Sequence, residues 1–143
     1  LLGHLLTWMA ERTSDVFLVT TANNIERLPA ELVRKGRMDE IFFVDLPRED
    51  VRQTIFSIHL KKRGLDPADF QLEDLAAATD GFSGAEIEQA VVSARYRARG
   101  EQQPVTTAHI LAEVGDTKPL SVVMDHKIAR LRAWARDRTV PAD

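Results

Sequence analysis

Residues 80–94 read "DGFSGAEIEQAVVSA", and this stretch decides the fold of the second half of the chain. Residues 83–86, "SGAE", have the S-x-x-E form of a capping box, in which a serine and a glutamate side chain satisfy free backbone N–H groups at a helix start. The following residues repeat an apolar side chain every three or four positions, at Ile87, Ala90, Val91, Ala94 and Ala98. The pattern predicts a helix that begins after Ser83, buries one face and ends at Gly100.

Other helices are predicted on both sides of this one. Residues 2–11 carry apolar side chains at helical spacing, and residues 49–63 do so at positions 51, 55 and 58 before Gly64, which is typical of a helix C-terminus. Two further helices are predicted at "LEDLAAAT" and "TTAHILAEVG". A last helix is predicted after Ser121, with one face formed by Met124, Ile128, Leu131 and Trp134.

Two apolar runs in the first third of the chain predict strands. "VFLVTTA", residues 16–22, and "IFFV", residues 41–44, are continuous apolar segments of the kind buried on both faces of a parallel sheet. A short helix from about Pro29 to Val33 would complete a β-α-β step. The predicted fold is an α/β fragment with two parallel core strands, followed by an all-α part, predominantly helical overall. The predicted domains are 1–46, 47–118, and a C-terminal helix and tail at 119–143.

Composition excludes several classes of protein. The 143 residues have a net charge of −3, which gives the whole chain no general attraction for nucleic acid or anionic lipid. The absence of cysteine excludes disulfides and thiolate metal sites, and it fits a reducing cytosol, so a cytoplasmic location is expected. No apolar run approaches the roughly 20 residues that span a bilayer, so no membrane association is expected.

Motifs for self-contained catalysis are missing from the sequence. It has no H-E-x-x-H motif or clustered His and Asp ligands, so no metal site is predicted. The four histidines are scattered and indicate no Ser-His-Asp arrangement. No glycine is followed by lysine, so the phosphate-binding loop G-x-x-x-x-G-K-[ST] does not occur.

A set of spacings does point to a known family. Residues 20–47, "TTANNIERLPAELVRKGRMDEIFFVDLP", together with "IFSIHL" at 55–60 and the stretch at 80–94, resemble the AAA ATPase family over residues 1 to about 115. The order and spacing of these segments carry the resemblance, since each alone is weak. The tail, "TKPLSVVMDHKIARLRAWARDR", further resembles the uncharacterised chloroplast and cyanobacterial open-reading-frame proteins of that family.

The resemblance implies catalytic roles for three residues. Asn23 would be sensor one, which orients the attacking water or contacts the γ-phosphate. Arg34 and Arg37 would be arginine fingers that reach the nucleotide of a neighbouring subunit, and the sequence leaves open which one lies nearer the γ-phosphate. Members of the family carry Phe at the position of Met38 and usually Pro at the position of Lys35. The alternatives are a structural turn at Asn23 and solvated surface arginines.

The resemblance also implies a nucleotide-facing part of an all-helical lid. His59 would lie beside the adenine and ribose, although a packed or exposed histidine is an equally good interpretation. Gly84 and Ala85 would begin the helix that faces the nucleotide. Many relatives outside the narrower AAA group carry a sensor-two arginine at this position, whereas this chain has Ala85, as the narrower group does. The helix would then supply no arginine to its own nucleotide, which raises the demand on Arg34 and Arg37 of the neighbouring subunit.

The implied function is that of the C-terminal part of an AAA module. The intact protein would use ATP and Mg²⁺ to remodel a macromolecular partner, as a ring of copies of itself, and hexameric rings are expected. The phosphate-binding loop and the Asp-Glu strand for magnesium are expected upstream of Leu1, so the chain alone should be inactive. A non-catalytic helical adaptor on a degenerate AAA scaffold is the alternative, and a nucleic-acid motor is disfavoured by the acidic balance.

Overall fold

The computed structural model describes residues 2–11, 13, 15–32 and 38–142. They divide into a helical unit, residues 45–130, and an α/β unit, residues 1–44 with 131–143. The helices are α1 (Leu2–Glu11), α2 (Glu49–Lys61), α3 (Leu72–Ala78), α4 (Gly84–Gly100), α5 (Thr107–Gly115), α6 (Leu120–Val123) and α7 (Asp125–Ala135). The strands are β1 (Phe42–Phe43) and β2 (Val140–Pro141), and short 3₁₀ helices lie at Ile25–Arg27 and Pro67–Asp69.

The predicted capping box and buried stripe of α4 are confirmed. The N–H of Glu86 donates to Ser83 Oγ at 3.3 Å, and the N–H of Ser83 donates to Glu86 Oε2 at 2.7 Å. All five stripe residues are at most 5% exposed: Ile87, Ala90, Val91, Ala94 and Ala98. Local signals were sufficient here because the cap fixes where the helix begins and the stripe fixes which face is buried.

The core of the helical unit forms where α2, α3 and α5 pack around α4. Its most deeply buried side chains come from four different helices: Phe56, Leu60, Leu75, Ile87, Val91 and Ile110. The buried positions of α2 are 52, 56 and 60, so the predicted face at 51, 55 and 58 is wrong by about one residue. Ile58 is 54% exposed, because Phe56 and Leu60 mark the buried face of α2 and Ile58 lies off that face.

The predicted helix end at Gly64 is confirmed. The helix α2 stops at Lys61, and Gly64 has a φ of +73°, in the left-handed region that favours glycine. The N–H of Leu65 returns to the carbonyl of Leu60 at 3.1 Å. Helices α3 and α5 also lie where the sequence predicts them.

The last predicted helix is broken, and Ser121 does not cap it. Met124, with φ −121° and ψ 27°, separates α6 from α7, and Pro119 stands at the N-cap of α6. Ser121 instead lies against the loop before α4, where its N–H donates to the carbonyl of Gly81 at 3.4 Å. The basic side chains of α7 and of the turn after it lie on exposed positions, at Lys127, Arg130, Arg132, Arg136 and Arg138.

The two strands of the α/β unit are parallel, as predicted, but only one of them is a predicted strand. Phe42 is paired with Val140 and Phe43 with Pro141. Residues 15–22 form no strand within the described part of the chain, with Phe17 93% and Val19 72% exposed. A run that is apolar on both faces needs strand neighbours and covering helices, and the described residues supply neither.

The connection between the two predicted strands, residues 16–22 and 41–44, also differs from its prediction. A 3₁₀ helix at Ile25–Arg27 and a turn, in which the N–H of Leu32 donates to the carbonyl of Pro29 at 2.9 Å, replace the predicted helix at 29–33. Val33 lies outside the described residues. Among the helices of the described ranges, none is both long and apolar enough to cross a membrane.

Candidate functional site

Helices α2 and α4 run side by side and bring three of the predicted site residues onto one surface. A Cβ placed on Gly84 would lie 3.7 Å from Cδ1 of Ile55, and Nδ1 of His59 lies 3.3 Å from Oε1 of Glu88. His59 follows Ile55 by four residues, and Glu88 follows Gly84 by four residues. The two helices therefore run in the same direction here, and successive turns of one lie beside successive turns of the other. The first turn of α4 therefore lies one helical turn away from His59.

The ring of His59 is held through one of its two nitrogens. Its Nδ1 lies 3.3 Å from Arg63 Nη1 as well as from Glu88, and its side chain is 18% exposed. Arg63 Nη2 donates to Glu88 Oε1 at 2.7 Å, which closes a three-residue cluster. In the described ranges no hydrogen bond is made by Nε2 of His59.

Glu88 supplies the negative charge of this cluster. The hydrogen bond from Arg63 lowers the pKa of the Glu88 carboxyl below its usual value, and the charges of His59 and Lys62 act in the same direction. Burial of the carboxyl opposes this shift only in part. The ionised carboxylate holds both Arg63 and His59, and thereby fixes the ring orientation from α4.

The first turn of α4 presents backbone N–H groups beside this cluster. The capping box uses the N–H of Glu86, whereas the N–H groups of Gly84 and Ala85 have no acceptor inside a regular helix. Gly84 has no side chain and Ala85 is exposed. The turn therefore combines partial positive charge with close access to the backbone.

The remaining predicted site residues do not belong to the helical unit. Asn23 lies in an exposed bend of the α/β unit, two residues before the 3₁₀ helix at Ile25–Arg27. Arg34 and Arg37 lie outside the described residues. In the part of the chain that the structure describes, no group of three His, Cys, Asp or Glu side chains could hold a metal ion.

Sequence reasoning missed Arg52, the one charged residue of the helical unit's described part that is nearly fully buried. Arg52 is 5% exposed, and its Nε donates to the carbonyl of Ala76 at 3.0 Å. Its position was visible in the sequence, because it precedes Phe56 and Leu60 by four and eight residues. Its burial was not, because arginine is almost never fully buried unless paired. The cluster of His59, Arg63 and Glu88 was missed because it joins two helices.

Two family models match this chain. The ATPase family associated with various cellular activities (AAA) matches residues 1–46, and the AAA+ lid domain matches residues 69–112. Together they cover more than half of the chain. The chain belongs to the AAA ATPase family. The resemblance inferred from the sequence is thereby confirmed.

Curated relatives agree with this assignment. An "Uncharacterized AAA domain-containing protein ycf46" of Pyropia yezoensis is 40% identical over 94% of this AAA chain and 28% of its own length. The protein of the same name from Guillardia theta is 43% identical over 93% of the chain and 26% of its own length. A proteasome-activating nucleotidase of Saccharolobus solfataricus is 37% identical over 69% of the chain and 25% of its own length. The AAA chain thus spans about a quarter of the length of these relatives.

The two matched regions divide the predicted site residues between them. Asn23, Arg34 and Arg37 fall in the region that matches the AAA model, and Gly84 and Ala85 fall in the region that matches the lid. His59 lies between the two regions, on α2.

Proposed function

We propose that this chain is the C-terminal part of an AAA module whose intact protein binds and hydrolyses ATP to remodel a macromolecular partner. The observation that carries the proposal is the shared surface of α2 and α4, where His59 and the first turn of α4 lie on adjacent helical turns. In a chain of this family, such a surface is suited to the base, sugar and phosphates of one nucleotide.

The chemistry of the surface fits a nucleotide in two ways. Nε2 of His59 can exchange a hydrogen bond with the adenine or ribose, while Nδ1 stays bound to the cluster that orients the ring. The N–H groups of Gly84 and Ala85 direct partial positive charge at the phosphates, and the missing side chain of Gly84 permits close approach. Ala85 supplies no side-chain charge, so this lid gives the γ-phosphate no cation of its own.

The missing charge would come from a neighbouring subunit. In a homo-oligomeric ring, for which six copies are the expected number, Arg34 and Arg37 would reach the nucleotide of the next copy. A guanidinium is always charged and forks onto phosphate oxygens, so it stabilises the charge that grows in the transition state. Asn23 would orient the attacking water.

The nucleotide and its Mg²⁺ would be held mainly by a phosphate-binding loop, and the 143 residues contain none. The purified chain should therefore show no steady ATP turnover above background. The relative from Saccharolobus solfataricus is named a nucleotidase, which supports hydrolysis by the intact protein. The relatives named ycf46 give no substrate, so the partner to be remodelled is defined only as a macromolecule.

The test is Arg37→Ala in the intact protein. ATP binding should stay near normal while turnover falls by about 10³-fold or more, the scale of an arginine finger. Arg34→Ala should act in the same direction. Arg136→Ala removes an exposed arginine directly after α7 and is the matched control, which should leave turnover unchanged.

Mixing two inactive variants separates a role in the neighbour from a role within the same subunit. Arg37→Ala subunits are combined with subunits in which the lysine of the phosphate-binding loop is replaced. Mixed rings contain interfaces where an intact loop meets an intact arginine, so turnover should partly return. If mixed rings form and no ratio restores turnover, the finger assignment is wrong. An intact wild-type protein that binds nucleotide without any turnover would favour the non-catalytic adaptor.

A further inference from the structure

The buried guanidinium of Arg52 joins three separate segments of the helical unit. Its Nη1 donates to the carbonyl of Pro47 at 2.9 Å, two residues before α2 begins. Its Nε donates to the carbonyl of Ala76 in the last turn of α3, and Nη1 lies 3.4 Å from Oδ1 of Asp80. One side chain of α2 thus fixes the point where the chain enters the unit, the end of α3 and the loop that follows it.

The contacts show that Arg52 acts mainly on the backbone. Asp80 is the one acidic partner described, and its side chain is 92% exposed, so water screens this ion pair. The two shorter contacts are to carbonyl oxygens, which an arginine side chain of fixed fork geometry can bind at the same time. A residue needed only to fill the core would not require this fork.

The loop that Arg52 holds leads directly into the proposed nucleotide-facing turn. Thr79 is fully buried, and its Oγ1 donates to the carbonyl of Leu75 at 2.8 Å. Gly81 follows with a φ of +75°, and Ser83 is the cap of α4. Only three residues separate Asp80 from Gly84, so a shift of the loop moves the start of α4.

We propose that Arg52 is a positioning residue that ties the first turn of α4 to the backbone at Pro47, where the chain enters the helical unit. The inference rests on the proposed function, because it gives that first turn the nucleotide phosphates as its ligand. It adds a route by which a displacement at Pro47 reaches those phosphates. Arg52 touches no nucleotide and acts through the position of Gly84 and Ala85.

The test compares Arg52→Met and Arg52→Lys in the intact protein. Methionine keeps the apolar stem and removes every polar contact, whereas lysine keeps the charge and can satisfy fewer acceptors. Arg52→Met should weaken binding of a fluorescent ADP analogue. Because a displacement of about 1 Å can reduce a rate by about 10²-fold, kcat/KM for ATP should fall by about tenfold or more. Arg52→Lys should recover part of this loss.

Two controls separate positioning from loss of stability. Ile110→Val trims a fully buried side chain of α5 and lowers stability without touching the Arg52 contacts, so affinity for the ADP analogue should not change. Ala85→Glu places a negative charge on the exposed first turn of α4 and tests the nucleotide face directly. All affinities are measured well below the melting temperature of each variant.

The outcomes distinguish this inference from the proposed function. If Ala85→Glu weakens nucleotide binding and both Arg52 variants bind and turn over normally, Arg52 is only a packing residue and the inference is overturned. If Ile110→Val weakens binding as much as Arg52→Lys at equal loss of stability, general destabilisation explains the effect and the inference is again overturned. If Ala85→Glu has no effect, the nucleotide face itself is refuted, and the inference with it.

Discussion

Replacing Gly81 by alanine should destabilise the helical unit far more than the same replacement at Gly64. Both glycines have nearly the same backbone conformation, with φ of +75° and +73°. At Gly64 nothing lies within 4 Å of an added Cβ, so the replacement changes the free energy of unfolding only through the left-handed backbone conformation. A left-handed alanine costs about 1–2 kcal/mol and the stiffer unfolded chain returns about 0.4–1 kcal/mol, which leaves a net loss of about 1 kcal/mol.

At Gly81 a steric clash adds to this backbone cost, because the added Cβ would lie 2.9 Å from Cβ of Ser121 and still nearer to its Oγ. Ser121 must move, which breaks its hydrogen bond to the carbonyl of Gly81 and strains the one from the N–H of Leu120 to Oε1 of Glu86 at 2.8 Å. A neutral hydrogen bond contributes about 0.5–1.5 kcal/mol and one to a charged group about 1.5–3 kcal/mol. The total loss at Gly81 should therefore be about 3 kcal/mol or more.

The assay is urea denaturation of the 143-residue chain, followed by helical circular dichroism, for Gly64→Ala, Gly81→Ala and the double variant Gly81→Ala/Ser121→Gly. The double variant removes both short contacts and leaves Cβ of Pro119, at 3.8 Å, as the nearest atom, so its loss should fall back toward that of Gly64→Ala. Equal losses for the two single variants would refute the reasoning, because they would mean that Ser121 is not seated against Gly81.

Three further predictions concern the same chain. Ser83→Ala removes the helix cap and should destabilise by about 1 kcal/mol in urea denaturation, whereas Ser93→Ala in the middle of α4 should stay within about 0.5 kcal/mol. Glu88→Gln should destabilise at neutral pH, and because the pKa of Glu88 is lowered in the fold, the difference from wild type should shrink as pH falls below 4.5 and vanish below the folded pKa. A difference that persists in acid would contradict this. In hydrogen exchange, the amide of Val91 should exchange far more slowly than those of residues 17–22, and the reverse order would contradict the assignment of the core.

Sequence reasoning succeeded where neighbouring residues determine the structure. The cap at Ser83, the stripe of α4 and the left-handed Gly64 all depend on contacts within a few residues, and each is confirmed. It failed where the partner is distant. Val140 pairs with Phe42 across almost a hundred positions, and no local pattern marks Val140 as a strand residue.

The candidate site shows the same division. The start of α4 at Gly84 was predicted from the capping box, and His59 was predicted from the family resemblance. Arg52 and the pairing of Glu88 with Arg63 were not predicted, because a charged residue on a helix is by default assigned to solvent. The roles of Asn23, Arg34 and Arg37 stay predictions, since no contact within the described residues tests them.

The packing of α2 sets the smallest piece of this chain that can fold. The lid match covers residues 69–112, yet Phe56 and Leu60, both completely buried, come from outside it. At the other end, Leu120 donates to the same Glu86 carboxylate that completes the capping box. A piece cut at the limits of the match would lack α2 entirely, so the core side chains that pack against Phe56 and Leu60 would face water, and one oxygen of Glu86 would lose its partner. The region that the lid model matches is therefore shorter than the unit that folds. A chimaera made between relatives should exchange residues 45–130 as one block.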